Sequence, residues 1–99
     1  MSSMIHVVLV AWAAEAPSGR DEEVAALVER FPTDIDGVVD VRYGPSISPE
    51  QLEGGFDWGL VVTFRDVAAR DAYLPHPAHV PVAEMIGRWS RSVVVFDIG

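Results

Sequence analysis

The chain contains no cysteine and no lysine among its 99 residues. The absence of cysteine excludes disulfide bonds, thiolate nucleophiles, zinc ribbons and iron–sulfur clusters. All seven basic residues are arginines, against fifteen acidic residues, and the formal net charge is -8. Because binding to a phosphate backbone needs clustered basic side chains, this balance argues against nucleic acid as a partner.

The sequence also lacks an export signal and an apolar run long enough to cross a membrane. The apolar stretch from Ile5 to Ala14 spans ten residues and is interrupted by His6, whereas a membrane-spanning helix needs about 20 residues. No basic residue precedes this stretch, and no cleavage-site pattern follows it. We therefore expect a cytoplasmic protein without a membrane segment.

The remaining composition is that of one globular domain. Hydrophobic residues make up 49% and charged residues 22% of the chain, which is typical of soluble domains. A chain of 99 residues supports one modest hydrophobic core and is too short for two. We expect a single domain over residues 1–99.

Apolar residues recur with the periods of strands and helices in turn. Residues 4–12 are rich in β-branched side chains and too short for a capped helix, whereas the apolar positions between Ser18 and Pro32 follow helical spacing. The predicted elements are a strand at 4–12, a helix from the N-cap Ser18 to Pro32, a strand at 38–43, a strand at 58–64, a helix capped by Asp66, a last helical turn or two after the Pro-rich segment 75–81, and a strand at 92–98.

The order β, α, β, β, α, β is that of a ferredoxin-like α+β fold. In this fold a four-stranded antiparallel sheet carries both helices on one face. The other face of this sheet would be exposed to solvent. The first strand, however, is apolar on both faces, which is unfavourable for a solvent-exposed face. In the second strand we expect Val39, Val41 and Tyr43 to point inward. We infer a homodimer that packs sheet against sheet.

Three histidines and two tyrosines are the main candidates for proton transfer near neutral pH. His76 and His79 lie three residues apart around Pro77, and Tyr73 ends the preceding helix, so the three side chains can share one space. A neutral histidine can remove a proton from a carbon acid, and a tyrosine hydroxyl can stabilise the oxyanion that forms. The structural alternative is that the histidines cap helix carbonyls and the tyrosine packs in the core.

A metal centre is not indicated by these histidines. His76 and His79 lack an obvious third protein ligand, which a catalytic zinc site needs. His6 lies within an apolar strand, and we expect it to be a core histidine bonded to a backbone carbonyl. We expect no metal and no cofactor.

Four segments of the chain are characteristic in combination. They are Ile5-His6-Val7-Val8-Leu9, Gly54-Gly55-Phe56-Asp57, Tyr73-Leu74-Pro75-His76-Pro77-Ala78-His79-Val80 and Val93-Val94-Val95-Phe96-Asp97. Together they resemble the stress-responsive dimeric α/β-barrel, or Dabb, family over essentially the whole chain. The His-Pro-Ala-His stretch after a tyrosine is the most specific part of this resemblance.

The resemblance implies a ferredoxin-like protein whose two sheets pair into a shared barrel, in agreement with the inferred homodimer. A plant member of the family closes a linear polyketide by an aldol reaction without a cofactor. By resemblance to it, His79 is the catalytic base and Tyr73 positions the oxyanion or the substrate. His6, Trp58 and His76 complete the expected site as substrate-binding residues, and Trp58 stands where that cyclase carries a histidine.

Two functions stay open at the level of sequence. The first is binding of a hydrophobic, oxygen-rich small molecule such as a polyketide between sheet and helices, with cyclase-like lyase chemistry. The second is a noncatalytic dimer for assembly or stress protection, in which Trp58, Trp89 and Phe64 fill that space. A cofactor-free monooxygenase is a third alternative, which rests on fold analogy alone.

Overall fold

A computed structural model describes residues 2–99, which form four strands and four helices. In chain order they are β1 (Met4–Trp12), α1 (Arg20–Val28), α2 (Phe31–Asp34), β2 (Val38–Pro45), β3 (Trp58–Phe64), α3 (Val67–Tyr73), α4 (Val80–Trp89) and β4 (Ser90–Ile98). The strands form one antiparallel sheet in the order β2-β3-β1-β4. The predicted ferredoxin-like α+β class is confirmed.

The core lies on the face of the sheet that the helices cover. Every second residue of β1 and of β3 is buried there, as the two-residue period of a strand requires. These residues are Met4, His6, Val8, Val10, Trp12, Trp58, Leu60, Val62 and Phe64. Val24, Phe31 and Val82 pack onto them from the helices. Each buried aliphatic or phenyl side chain of this kind contributes about 1.5 to 3 kcal/mol by leaving water.

The opposite face of the sheet, here called the open face, is apolar on β1 and β4. It carries Ile5, Leu9, Val94, Phe96 and Ile98 on the neighbouring strands β1 and β4. Phe96 is 61% exposed and Ile98 55% exposed. Single exposed apolar side chains are common, but a contiguous apolar patch marks an interaction surface. This is the face through which the sequence predicts a homodimer.

The first helical region differs from its prediction at both ends. α1 begins at Arg20, and its N-cap residue is Gly19 rather than Ser18. It ends at Val28, and Pro32 lies in the first turn of the separate helix α2. A proline has no backbone N–H to donate, and the first turn of a helix does not use those donors. Pro32 therefore belongs to the start of a helix and does not end one.

A β-bulge between Val38 and Asp40 changes the start of β2. One extra residue on a bulged strand reverses the alternation of its side chains. Val38 is therefore buried and Val39 is 61% exposed, so the predicted inward orientation of Val39 is wrong. Val41 and Tyr43 pack against the core as predicted.

The second helical region is divided as the sequence predicts. Asp66 caps α3, since its Oδ1 accepts a hydrogen bond from the backbone N–H of Ala69 at 2.8 Å. α4 has ten residues, however, and is longer than the one or two turns expected. Pro81 lies in the first turn of α4, where a proline costs no helical hydrogen bond. The division leaves Tyr73 at the end of one helix and His79 immediately before the next.

Candidate functional site

A cavity of about 300 Å³ lies between α4 and the helix-covered face of the sheet. Its polar lining consists of His6, Tyr73 and His79. The other lining residues are Val8, Leu60, Leu74, Val82, Ala83, Ile86, Gly87, Val93 and Val95. An apolar cavity with a few convergent polar groups is typical of small-molecule sites.

The Pro-rich turn between α3 and α4 brings Tyr73 and His79 together. The backbone N–H of His76 donates to the Tyr73 carbonyl at 3.0 Å, and the N–H of His79 donates to the His76 carbonyl at 2.9 Å. The His76 side chain tightens the turn, because its Nδ1 accepts a hydrogen bond from the N–H of Ala78 at 3.0 Å. As a result, the His79 imidazole lies 4.1 Å from the Tyr73 ring, centroid to centroid.

The hydrogen bond of His79 determines which of its nitrogens is free. Its Nδ1 lies 2.9 Å from the carbonyl oxygen of Leu74. A carbonyl oxygen only accepts, so Nδ1 carries the proton and Nε2 keeps its lone pair in the neutral ring. Burial lowers the pKa of His79 below its ordinary value, and the nearby His6 and His76 lower it further against the opposing effect of the Leu74 bond. His79 is therefore a neutral base at pH 7.

The phenol ring of Tyr73 is completely buried. Phe31 and Phe64 hold it by edge contacts, with centroid distances of 5.6 and 4.8 Å. Its hydroxyl has no hydrogen-bond partner among residues 2–99. Burial raises the pKa of Tyr73 well above its ordinary value, so the hydroxyl stays protonated. It is a donor without an acceptor beside the cavity.

His6 joins the cavity to a charged pair at its edge. Its Nδ1 lies 2.6 Å from Oδ1 of Asp97, and the second oxygen of Asp97 accepts a hydrogen bond from Arg70. The His6 ring is buried and makes an edge contact with Tyr73, with 5.7 Å between centroids. The carboxylate thus orients the imidazole, so that its other nitrogen is left for a further partner.

The sequence of almost the whole chain matches one family model. Residues 4–99 match the family model of the stress-responsive A/B barrel domain. The chain belongs to the Dabb family. The predicted membership is confirmed.

This Dabb chain is similar in sequence to a named enzyme and in fold to several solved structures. It is similar to olivetolic acid cyclase of Cannabis sativa, with 24% identity over 92 residues that cover 93% of this chain and 91% of the cyclase. It is also similar to a dimeric ferredoxin-like protein of unknown function from Jannaschia sp. CCS1, with a TM-score of 0.89, 27% identity and 99% of each chain covered. Hydroxynitrile lyase from Passiflora edulis shares the fold, with a TM-score of 0.86, 16% identity and coverage of 98% of this chain and 92% of the lyase.

Trp58 and His76, which the sequence predicts to bind substrate, lie apart from the lining of this cavity. Trp58 is buried between Trp12 and Tyr43, with centroid distances of 5.9 and 6.4 Å. It lines a separate hollow of about 260 Å³ at the loop after β2. The Nδ1 of His76 is occupied by the turn. Of the five predicted site residues, the structure brings His6, Tyr73 and His79 together.

Sequence reasoning missed Asp97 and Arg70. Alternation along the last strand places Asp97 on the same face as Val93 and Val95, which was a usable signal. Its partner follows only from the pairing of β1 with β4, which sets His6 opposite Asp97. Arg70 reaches the same carboxylate from α3, across a separation that no local pattern encodes.

Residues 2–99 contain neither a metal-binding cluster nor a helix that could span a membrane. No group of three or more histidine, aspartate or glutamate side chains in this range is arranged to hold a metal ion. The helices of the same range are all too short or too polar to cross a membrane.

Proposed function

We propose that this Dabb chain binds a hydrophobic, oxygenated small molecule in the cavity beside α4 and removes a proton from one of its carbon atoms. The observation that carries the proposal is the contact between His79 and Tyr73, 4.1 Å between centroids, at the wall of that cavity. It joins a proton acceptor to a hydrogen-bond donor within an apolar lining. Such a lining favours a hydrophobic ligand, and the few polar groups determine where its oxygen atoms bind.

His79 is the base in the proposed reaction. Its Nε2 takes a proton from a CH2 group between two carbonyls, while its Nδ1–H stays bonded to Leu74. Tyr73 donates to the enolate oxygen, where negative charge develops. The enolate carbon attacks a carbonyl further along the same chain, a carbon–carbon bond closes the ring, and the new alkoxide takes the proton back from His79. This is an aldol closure that needs no cofactor.

The ligand oxygen must reach a hydroxyl that side chains now cover. Tyr73 is completely buried, and the His79 ring lies against it. Leu74, which is 48% exposed, also lines the cavity. In the proposed reaction the ligand displaces side chains that cover the hydroxyl, which has no hydrogen-bond partner among residues 2–99 and gains one from the ligand oxygen.

The relatives support an enzyme over a passive scaffold. Olivetolic acid cyclase is named for ring closure and matches 93% of this chain. The lyase shares only the fold and shows that a protein of this architecture can carry a catalytic site.

The proposal includes a homodimer formed through the open face. Phe96 and Ile98 are more than half exposed there, and exposing so many adjacent apolar side chains to water is unfavourable. A second copy of the chain offers an equally apolar surface, as two-fold symmetry allows. The Jannaschia relative is described as dimeric.

The test is deuterium exchange at the carbon between the carbonyls of a long-chain β-keto ester, followed by NMR in D2O. We expect the protein to accelerate exchange above the buffer rate and His79→Ala to return it to that rate. Tyr73→Phe should lower the acceleration roughly a hundredfold, as the loss of one oxyanion donor does. His76→Asn is the matched control, because asparagine also accepts the hydrogen bond of Ala78, and it should exchange like the wild type.

Two outcomes would contradict the proposal. Exchange at the buffer rate, with no chemical-shift change at cavity residues, would favour the alternative of a noncatalytic dimer. A loss with His76→Asn as large as that with His79→Ala would mean that the base is assigned to the wrong histidine.

A further inference from the structure

Arg70 connects the surface of α3 to the buried imidazole of His6. Its Nη1 donates a hydrogen bond to Oδ2 of Asp97, and Oδ1 of the same carboxylate lies 2.6 Å from Nδ1 of His6. The three residues belong to three separate elements, α3, β4 and β1. One carboxylate therefore lies between a guanidinium and an imidazole, and both rings of charge and hydrogen bonding meet at the edge of the cavity.

The guanidinium of Arg70 is the positive charge that balances Asp97. Asp71 raises the pKa of Arg70 above its ordinary value and Asp97 adds to this effect, against the opposing effect of desolvation. Asp71 accepts a hydrogen bond from Nε of Arg70 at 2.9 Å, but its side chain is 63% exposed, so that water screens its charge. The Asp97 side chain is only 26% exposed. Its interaction with Arg70 is therefore screened less.

The surroundings of His6 favour a neutral ring once Asp97 is balanced. His6 is 5% exposed, and the rings of Phe64 and Tyr73 lie 6.1 and 5.7 Å from it, centroid to centroid. A charge in such surroundings is unfavourable unless an opposite charge compensates it. Asp97 is the acidic side chain that His6 contacts among residues 2–99, and Arg70 already balances that carboxylate. The neutral ring carries its proton on Nδ1, toward Asp97, and its lone pair on Nε2.

We infer that Arg70 is a positioning residue of the candidate site, because its charge keeps His6 neutral and leaves Nε2 of His6 as a second proton acceptor beside His79. The role of Arg70 in catalysis rests on the proposed function, whereas the charge of His6 can be measured without a ligand.

The charge of His6 matters for the proposed base. Burial lowers the pKa of His79, and His6, which lines the same cavity, adds to this effect. A full positive charge on His6 would repel a second positive charge on His79 and make His79 a weaker base. Arg70 thus protects the basicity of His79 from a distance, through Asp97 and His6.

The experiment records two-bond 1H–15N NMR spectra of the histidine rings in the unliganded protein, which distinguish an imidazolium from each neutral tautomer. We expect His6 of the wild type at pH 7 to be neutral and protonated on Nδ1. Arg70→Gln keeps an amide donor for Asp97 but removes the charge, so His6 should become an imidazolium and the titration of His79 should move to lower pH. Arg70→Lys restores the charge and should restore the neutral ring. The Arg70 side chain is 23% exposed, so both replacements can reach water.

Two further variants separate the charge from the structure. Arg70→Gln combined with Asp97→Asn removes both charges, and His6 should be neutral again because no carboxylate remains to stabilise the imidazolium. Arg91→Gln is the matched control. Arg91 is an exposed arginine of β4 that donates to the carbonyl of Gly55, six residues along the strand from Asp97, and its loss should leave His6 unchanged.

The outcomes separate this inference from the proposed function. A neutral His6 in Arg70→Gln, or an imidazolium in the wild type, would overturn the inference and leave the proposed function standing. If the wild type accelerates deuterium exchange, the acid limb of its rate against pH should shift downward in Arg70→Gln together with the titration of His79, and an unshifted limb would overturn the role in catalysis. If His6 changes charge as expected but the wild type does not accelerate exchange, the proposed function fails and Arg70 controls only the charge of His6.

Discussion

The imidazole of His79 stacks on the phenol ring of Tyr73, with 4.1 Å between centroids and 34° between ring planes. The contact is held from both sides, because the Leu74 carbonyl binds His79 and the rings of Phe31 and Phe64 enclose Tyr73. A base and a donor held in this way need little rearrangement relative to each other when charge develops on a ligand.

Replacing Tyr73 by phenylalanine should stabilise the fold and impair the function at once. The hydroxyl is buried and has no hydrogen-bond partner among residues 2–99, and such a group costs about 1 to 3 kcal/mol. We expect the free energy of unfolding in urea to rise by about 1 kcal/mol or more while exchange activity falls. A loss of both stability and activity would indicate that Tyr73 is a structural residue whose hydroxyl is satisfied in solution.

The lowered pKa of His79 predicts a loss of stability in mild acid. The unfolded chain takes up this proton near the ordinary value of 6.5, whereas the folded chain resists it. Below that pH the unfolded state binds more protons, so stability declines from pH 6.5 down to the folded pKa and then levels off. Urea titrations between pH 6.5 and the folded pKa give the free energy of unfolding as a function of pH. The slope of this dependence should be smaller for His79→Gln, whose side-chain amide still donates to the Leu74 carbonyl. An unchanged slope would place the proton uptake at another group.

A charge on the open face should prevent self-association. Phe96 is 61% exposed on the part of this face that β4 contributes, and a buried, unpaired carboxylate in an interface is strongly unfavourable. We expect sedimentation velocity at micromolar concentration to give a dimer for the wild type and a monomer for Phe96→Glu. Val67→Glu is the control, because Val67 is 51% exposed on α3, away from the sheet. A monomeric wild type would contradict the homodimer.

Gly37 joins α2 to β2 in a conformation that requires glycine. Its φ is +88° and a Cβ there would lie 2.4 Å from Cβ of Ala69. Gly37→Ala should lower the free energy of unfolding by at least about 2 kcal/mol, from strain and overpacking together. Gly54→Ala isolates the strain, since Gly54 has φ +66° in open space, and should cost about 1 kcal/mol. If Gly37→Ala and Gly54→Ala lose the same free energy of unfolding in urea, the close contact with Ala69 is relieved without an energetic cost.

The elements could largely be predicted because their signals are local. The β-branched content and short length of residues 4–12 identified β1, and the carboxylate of Asp66 identified the start of α3, each within a few residues. The errors arose where a local pattern has two solutions. Pro32 is compatible with the end of one helix or the first turn of another, and packing of the adjacent Phe31 into the core decides for the second. The bulge that exposes Val39 depends on pairing with β3.

The candidate site was predictable in part for the same reason. Tyr73 and His79 belong to one short turn, so their proximity follows from the sequence of that turn. His6 comes from a strand at the other end of the chain, and the Asp97 that orients it lies 91 residues away. Whether Trp58 or His76 faces the cavity depends on how α4 packs on the sheet, which no spacing within either segment reveals.

The sequence by itself determined the family, the ferredoxin-like order of elements and the meeting of Tyr73 with His79. These follow from periodicity, from proline geometry and from motifs whose residues are near neighbours. Only the tertiary structure decided that the Tyr73 hydroxyl is buried without a partner among residues 2–99 and that His6 pairs with Asp97. Each of these depends on strand register or on helix packing between segments far apart in the chain, where free energy is set by burial and long-range contacts and not by local conformation.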